Sequence, residues 1–215
     1  GLIWLKNNQQ QGERFVPSFH QTYSHTAISL NVKADILEIL ENFLDALHTH
    51  TIHPGLIRSN NNKRHPCQVT VTHLENGYQA EYIEEQKQSG LIGHLFGRHI
   101  IKSIGRIRYP GIAEVEYKSA KGVELSVVIY AHQQSAGRCK LIIRTYLRKG
   151  VLPFFLKMSL LAPFQLLALI QDKRILEQQY IANQKESKLR PFVTEYDVMR
   201  GNIENSLKNE IDETF

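Results

Sequence analysis

Three apolar-rich runs in the middle of the chain are joined by links that are short enough to be tight turns. The runs are Ile112–Tyr117, Val123–His132 and Arg138–Arg148, and the links are Lys118–Gly122 and Gln133–Gly137. Antiparallel strands can be joined by such turns, whereas parallel strands need a crossover of a dozen or more residues. The sequence therefore predicts an antiparallel meander, and the other elements must pack against that sheet.

Segments of alternating or helical pattern surround this meander. Thr26–Val32 alternates like a strand, and apolar residues at helical spacing predict a helix over Ala34–Leu47. Two more strand-like runs flank Glu75-Asn76-Gly77, in which Asn-Gly is a strong hairpin signal. These runs are Gln68–Thr72 and Tyr78–Ile83, and two later helices are predicted over Val151–Gln184 and Glu195–Asn209.

The order of these elements predicts an α+β fold, in which helices lie against one curved antiparallel sheet. Ser89–Ile104 is glycine-rich and apolar and receives no assignment, and Pro163 is expected to break the long C-terminal helical region and to start its second helix. A sheet that grips a long helix leaves a pocket between them for an apolar ligand. By strand alternation alone, the pocket is predicted to include Tyr117, Val128, Tyr130 and Ile142.

Composition limits the classes of protein that the chain can belong to. The 215 residues, with 42% hydrophobic and 22% charged residues, predict a single domain over 1–215 with a substantial core. The formal charge is +5, but the lysines and arginines are scattered, which argues against nucleic-acid binding. A modest basic excess equally fits an acidic protein partner such as an electron carrier.

Two features bear on location. Cys67 and Cys139 do not form a metal-binding pair by spacing, so a reducing compartment, the cytoplasm, is the default expectation. Val151–Ile170 is nearly long and apolar enough to cross a bilayer, but it contains prolines, Lys157 and Gln165. A buried helix pair is therefore favoured over insertion, and association with a membrane or another subunit is left open.

The chemistry of the chain is concentrated between Asn42 and His53. Asn42, Asp45 and His48 are three residues apart, so on a helix they would form one polar stripe beside the apolar face. His48 and His53 are five apart and would diverge by about 140° on an unbroken helix. They can share a metal only if the helix ends or bulges between them, which the β-branched Thr49, Thr51 and Ile52 and the following Pro54-Gly55 make plausible.

Two imidazoles and one carboxylate form a ligand set that suits ferrous iron with open coordination positions. Asp172 is the preferred carboxylate because it follows an apolar helical run, and Glu177 and Glu41 are weaker candidates. Two alternatives compete with this hypothesis. The histidines could simply cap and line a helix end, or His48 and His50 could form the H-x-H pair of a zinc hydrolase, although that pair normally projects from a strand.

These residues resemble a known family. Asn42-x2-Asp45-x2-His48-x4-His53 is similar to the iron-site motif of Rieske non-haem iron oxygenases. Asp172-Lys173-Arg174-x-Leu176-Glu177-x-Gln179 resembles the segment that supplies the third iron ligand in the group of vanillate O-demethylase, dicamba monooxygenase and pheophorbide a oxygenase. Gly1-Leu2-Ile3-Trp4 resembles the strand that leaves the Rieske domain.

The resemblance implies a fold, ligands and partners. It implies a helix-grip domain of the START-like, Bet v 1-like kind, with mononuclear Fe(II) held by His48, His53 and Asp172. Asp45 would pass electrons from the Rieske cluster of a neighbouring subunit, and Asn42 would lie near the iron without binding it. The substrate would be small, apolar and ring-containing, and the co-substrate O2. The full-length protein would be a homotrimer supplied by a reductase or ferredoxin.

The chain departs from the family in one respect. It has neither the C-x-H nor the C-x2-H pair that a [2Fe–2S] Rieske cluster needs. The Rieske domain is therefore expected upstream of residue 1, and the chain alone is expected to bind iron and substrate without physiological turnover. A metal-free START-like domain that binds an apolar ligand is the alternative function.

Overall fold

A computed structural model of the chain describes residues 23–56, 67–75, 77–84, 100–108, 111–149, 153–185 and 197–212. Gly1–Trp4, Asn76 of the predicted hairpin and most of Ser89–Ile104 lie outside the described residues. The strands are β1 Tyr23–Val32, β2 Cys67–Leu74, β3 Gly77–Glu84, β4 Ile100–Arg108, β5 Ile112–Ser119, β6 Gly122–Ser135 and β7 Arg138–Arg148. The α-helices are α1 Ile36–Leu44, α2 Thr49–Ile52, α3 Phe154–Lys185 and α4 Arg200–Asp212.

The strands form one antiparallel sheet in the order β1-β7-β6-β5-β4-β3-β2. The meander and the earlier hairpin were predicted, and β4 is an addition that joins them, since it pairs with both β3 and β5. The predicted α+β class, with an antiparallel sheet gripped by a long C-terminal helix, is confirmed. Sheet neighbours follow the chain order except for β1, which pairs with β7 at one edge.

The helices cover one face of the sheet, and the main core lies between that face and α1. Ile39, Leu40 and Leu44 of α1 are fully buried against Ile129 and Ile143 of the central strands. Asp35 precedes α1 in extended conformation and Glu38 lies in its first turn, where the helix dipole favours acids. The amphipathic pattern of this segment therefore places α1 on the sheet.

A buried arginine attaches α4 to α1. Arg200 is 8% exposed, and its guanidinium contacts Glu41 directly and lies 3.6 Å from Glu38. Burial raises the pKa of Glu41, while the charge and hydrogen bond of Arg200 act in the opposite direction. The helix α4 therefore contacts the polar side of α1, opposite the apolar face of α1.

The long helix α3 differs from the prediction in two ways. It is continuous, with Pro163 inside it rather than at a break. Pro163 lies on the exposed side, so the carbonyl that loses its helical partner can bond to water instead. The helix is also not a buried pair, because Phe155 is 71% exposed and Ile170 54% exposed.

The helix α3 combines a buried face with an exposed apolar face. By length and composition, Phe155–Lys185 could cross a membrane. However, its inward face carries Leu161, Leu169, Asp172 and Leu176, all buried in the domain. The helix therefore lies along the domain, with its outward face apolar.

The end of α1 rests on β3 and β4 through one hydrogen bond and one glycine. The Tyr82 hydroxyl donates to the carbonyl oxygen of Leu44 at 3.0 Å. A Cβ at Gly105 would lie 3.3 Å from both that oxygen and the Leu44 side chain, so the close approach depends on glycine. The carbonyl that no longer has a helical partner is thereby satisfied inside the core.

We predict that Gly105→Val destabilises the fold, because the added methyl groups must displace Leu44. The expected loss is about 1–3 kcal/mol in the free energy of unfolding, the usual cost of overpacking. Gly201→Val is the control, since nothing lies within 4 Å of a Cβ at that helical position. Urea denaturation should show a change within about 0.5 kcal/mol for the control. Equal effects of the two substitutions would contradict the proposed packing.

Candidate metal centre

The chain reaches the two histidines through a sharp change of direction after α1. Asp45 ends α1 in an extended conformation (φ −78°, ψ 104°), and Ala46–His48 then form a 3-10 turn that leads into α2. The single helix predicted over Ala34–Leu47 is therefore wrong beyond Leu44. Asn42, Asp45 and His48 do not share one helical face, but the break that His48 and His53 require is present.

Three side chains meet where α2 faces α3. The Nε2 of His53 lies 3.0 Å from Oδ1 of Asp172, and the Nε2 of His48 lies 3.7 Å from the same oxygen. One ligand atom from each of the three lies within 4.8 Å of the others. The structure therefore brings together the three residues that the sequence predicted as ligands.

Carbonyl oxygens fix the orientation of both imidazoles. The Nδ1 of His48 contacts the backbone carbonyl of Asp45, and the Nδ1 of His53 lies 2.9 Å from Oε1 of Gln171. Because a carbonyl oxygen only accepts, each Nδ1 must carry the proton and donate it. In the neutral rings, both Nε2 atoms are then lone-pair donors that face the Asp172 carboxylate.

Three lone pairs that point at one place need a cation or a proton between them. Oδ1 of Asp172 is buried and has no hydrogen bond of normal geometry, although two imidazole nitrogens are close. Three such acceptors crowded together are unfavourable unless a positive charge joins them. This donor set fits a divalent transition metal bound on one face, with the remaining positions open.

The pKa values of the two histidines move in opposite directions without a metal. Burial lowers the pKa of His48 and outweighs the charge of Asp172, which acts to raise it. Burial also lowers the pKa of His53, but the adjacent Asp172 and Gln171 outweigh it and raise the pKa overall. His53 is therefore the ring that takes up a proton more readily, and because a proton and a metal compete for its Nε2, acid should weaken metal binding.

The competing ligand candidates lie elsewhere. Oε1 of Glu177 accepts a hydrogen bond from the backbone N–H of Lys33 at 3.2 Å, and Glu41 pairs with Arg200. Neither carboxylate is therefore the third member of the cluster. The side chain of His50 lies outside the described residues, so the pairing of His48 with His50 stays untested.

A cavity of about 210 Å³ lies between α3 and the helix-covered face of the sheet, and the three ligands line it. Its other walls are mainly apolar, from the strands and from the inward face of α3, and we call it the apolar cavity. Tyr117 lines it as predicted, but Val128, Tyr130 and Ile142 do not. The lining residues of β6 and β7 are instead Glu124, Leu125, Val127, Ile129, Ile143, Thr145, Leu147 and Arg148.

A second, more polar cavity of about 400 Å³ lies next to His48 and includes Asn42, Asp45, Asp197 and Arg200 among its lining residues. We call it the polar cavity. The amide nitrogen of Asn42 is buried and makes no hydrogen bond with the described residues. His48 lines both cavities.

Neither a protein-family model nor a curated protein sequence matches the chain. Solved structures do match it. Dicamba monooxygenase bound to dicamba superposes with a TM-score of 0.75 and 13% identity, over 93% of this chain and 64% of that one. NdmA of Pseudomonas putida CBB5 with caffeine gives a TM-score of 0.70 and 14% identity, over 92% and 55%.

A third match is a quaternary ammonium Rieske monooxygenase, CntA, in complex with an inhibitor, with a TM-score of 0.63 and 11% identity, over 91% of this chain and 51% of that one. The chain has the fold of these oxygenases. They belong to the group that the sequence motif resembles, as predicted. The chain spans less than two thirds of the length of the matched proteins.

Sequence reasoning missed Gln171, the residue that orients His53. Gln171 directly precedes Asp172 in the sequence. However, neither its residue type nor its spacing predicted that its side-chain amide contacts His53. A metal-binding imidazole generally donates its other ring N–H to an acceptor such as a carbonyl oxygen. The sequence neighbours of the third ligand are therefore candidates for that acceptor.

We predict that Gln171→Leu weakens metal binding 10- to 100-fold, because His53 loses the acceptor that fixes its tautomer. Competition of Co(II) or Fe(II) against a chelator under anaerobic conditions measures the affinity. Gln178→Leu is the control, since Gln178 is exposed on the same helix. Unchanged affinity in Gln171→Leu would show that the contact does not support the site.

Proposed function

We propose that the chain is the catalytic domain of a Rieske-type mononuclear iron oxygenase. In this proposal it binds Fe(II) through His48, His53 and Asp172 and takes a small, apolar, ring-containing substrate into the apolar cavity. The substrate is hydroxylated or oxidatively demethylated. The observation that carries the proposal is that Nε2 of each histidine and Oδ1 of Asp172 converge in the wall of this cavity.

The reaction takes O2, two electrons and two protons, places one oxygen atom on the substrate and releases the other as water. Bound iron would supply oxygen activation through its open coordination positions. The residues of the chain do the remaining work. Phe43, Val127, Ile143 and Leu169 line the cavity with apolar surface that excludes water and holds a ring beside the ligands.

Electrons would enter from the polar cavity. Asp45 lines that cavity, and its backbone carbonyl accepts the Nδ1–H of the ligand His48, so one residue connects the surface with the iron site. The donor would be a [2Fe–2S] cluster on a Rieske domain of the same or a neighbouring chain, reduced by a reductase or ferredoxin. Asn42, in the same cavity, would lie near the iron without binding it, and the assembly would be a homotrimer.

We predict that His48→Ala combined with His53→Ala abolishes stoichiometric iron binding, because one carboxylate cannot hold the metal alone. Metal analysis after anaerobic reconstitution with Fe(II) measures the occupancy. His132→Ala, which alters an exposed histidine on β6, is the control and should keep the wild-type content. Full occupancy in the double variant would refute the assignment.

We also predict that Asp45→Asn separates electron delivery from oxidation. Hydrogen peroxide supplies oxygen already reduced by two electrons, so it bypasses the Rieske cluster. With 4-methoxyphenol as the probe substrate, Asp45→Asn should lower demethylation driven by a Rieske donor at least tenfold and leave peroxide-driven demethylation unchanged. Equal losses in both assays would indicate that Asp45 supports the iron site rather than electron transfer.

The apolar cavity also supports a second function, a metal-free START-like domain that carries an apolar ligand. The cavity is mostly apolar and of a size that suits a small ring compound. This function predicts no bound iron after reconstitution and unchanged ligand affinity in the double histidine variant. The same variant therefore distinguishes the two functions.

A further inference from the structure

Two buried acceptor oxygens in the wall of the apolar cavity lack hydrogen-bond partners among the described residues. They are Oδ1 of Asp172 and Oε1 of Gln165. In the proposed function, a bound metal would account for the first. The second belongs to a side chain that has no role in the iron site.

The position of the Gln165 amide is fixed from one side. Its Nε2 donates to the Oγ1 of Thr145 on β7 at 2.5 Å, and Thr145 is only 2% exposed. This hydrogen bond leaves Oε1 as the unsatisfied end of the amide. A polar group held in this way loses little further conformational freedom when a ligand binds.

Gln165 also lies at a suitable distance from the iron ligands. It precedes Asp172 by seven residues on the same helix, which is about two turns, or about 10 Å along the axis. Both side chains line the apolar cavity, with Ala168 and Leu169 between them. The cavity volume of about 210 Å³ suits a ligand of single-ring size.

An unpaired buried acceptor discriminates between ligands. A ligand that brings an O–H or N–H satisfies the oxygen, whereas an isosteric ligand without the donor leaves it unpaired and therefore binds more weakly. Sites of this kind distinguish hydrogen-bonding substrates from apolar isosteres more strongly than apolar walls do.

We propose that Gln165 is the substrate-orienting residue of the apolar cavity. Its Oε1 accepts a hydrogen bond from a hydroxyl or N–H group of the substrate, on the side of the ring away from the iron. The substrate class is therefore a single-ring compound that carries a hydrogen-bond donor opposite the oxidised position. The orientation relative to iron rests on the proposed function, whereas the hydrogen bond itself does not need the metal.

The test compares two probes that differ only at the donor, 4-methoxyphenol and 4-methylanisole. Titrations with metal-free protein measure the affinity for each in the wild type, Gln165→Leu and the exposed control Gln178→Leu. We expect Gln165→Leu to weaken 4-methoxyphenol binding at least tenfold and to leave 4-methylanisole binding unchanged or stronger. Thr145→Val is a second variant. It removes the hydrogen bond that holds the Gln165 amide, so it should reduce the preference for 4-methoxyphenol over 4-methylanisole.

Three results would overturn the proposal. Equal changes for both probes would mean a structural role for Gln165, unchanged affinities would mean no contact, and no binding of either probe to the wild type would exclude the single-ring class. Because the titration uses metal-free protein, it can fail while iron binding by His48, His53 and Asp172 succeeds, and the reverse also holds. Repeating it with Co(II)-loaded protein tests whether the metal changes the preference.

Discussion

The site depends on the end of α1, where a buried tyrosine hydroxyl takes the place of the next helical hydrogen bond. Tyr82 donates to the carbonyl of Leu44, and Gly105 lets that carbonyl approach the sheet. A continued helix would have sent His48 and His53 in different directions. Because the chain instead turns at Asp45, both imidazoles face α3, and the Asp45 carbonyl becomes the acceptor that orients His48.

The second constraint is electrostatic. Two imidazole nitrogens and a carboxylate oxygen meet in a buried place, and the proton positions that Asp45 and Gln171 impose leave all three as electron-pair donors. A site built in this way favours a bound cation over an empty site. The same helix that supplies Asp172 forms one wall of the apolar cavity, so metal and ligand sites are parts of one surface.

The sequence predicted which side chains lie together better than it predicted the path of the chain. His48 and His53 were predicted from their spacing and residue type, and Asp172 because it follows an apolar helical run, and tertiary packing alters none of these features. The exact end of α1 depends on Tyr82 and Gly105, which are distant in sequence, so periodicity extended the helix too far. Strand alternation predicted which residues of β6 and β7 share a face of the sheet, but not which face α3 covers. Pro163 predicted a break in the helix because the sequence does not show that this residue lies on the exposed side.

The central claim is that one metal ion binds between His48, His53 and Asp172. A crystal structure of the protein loaded anaerobically with Fe(II), with diffraction data collected on both sides of the iron absorption edge, tests it most directly. The account predicts one anomalous peak within coordination distance of both Nε2 atoms and the Asp172 carboxylate. A structure of fully loaded protein with the peak elsewhere, or with either histidine turned away from it, would contradict the account.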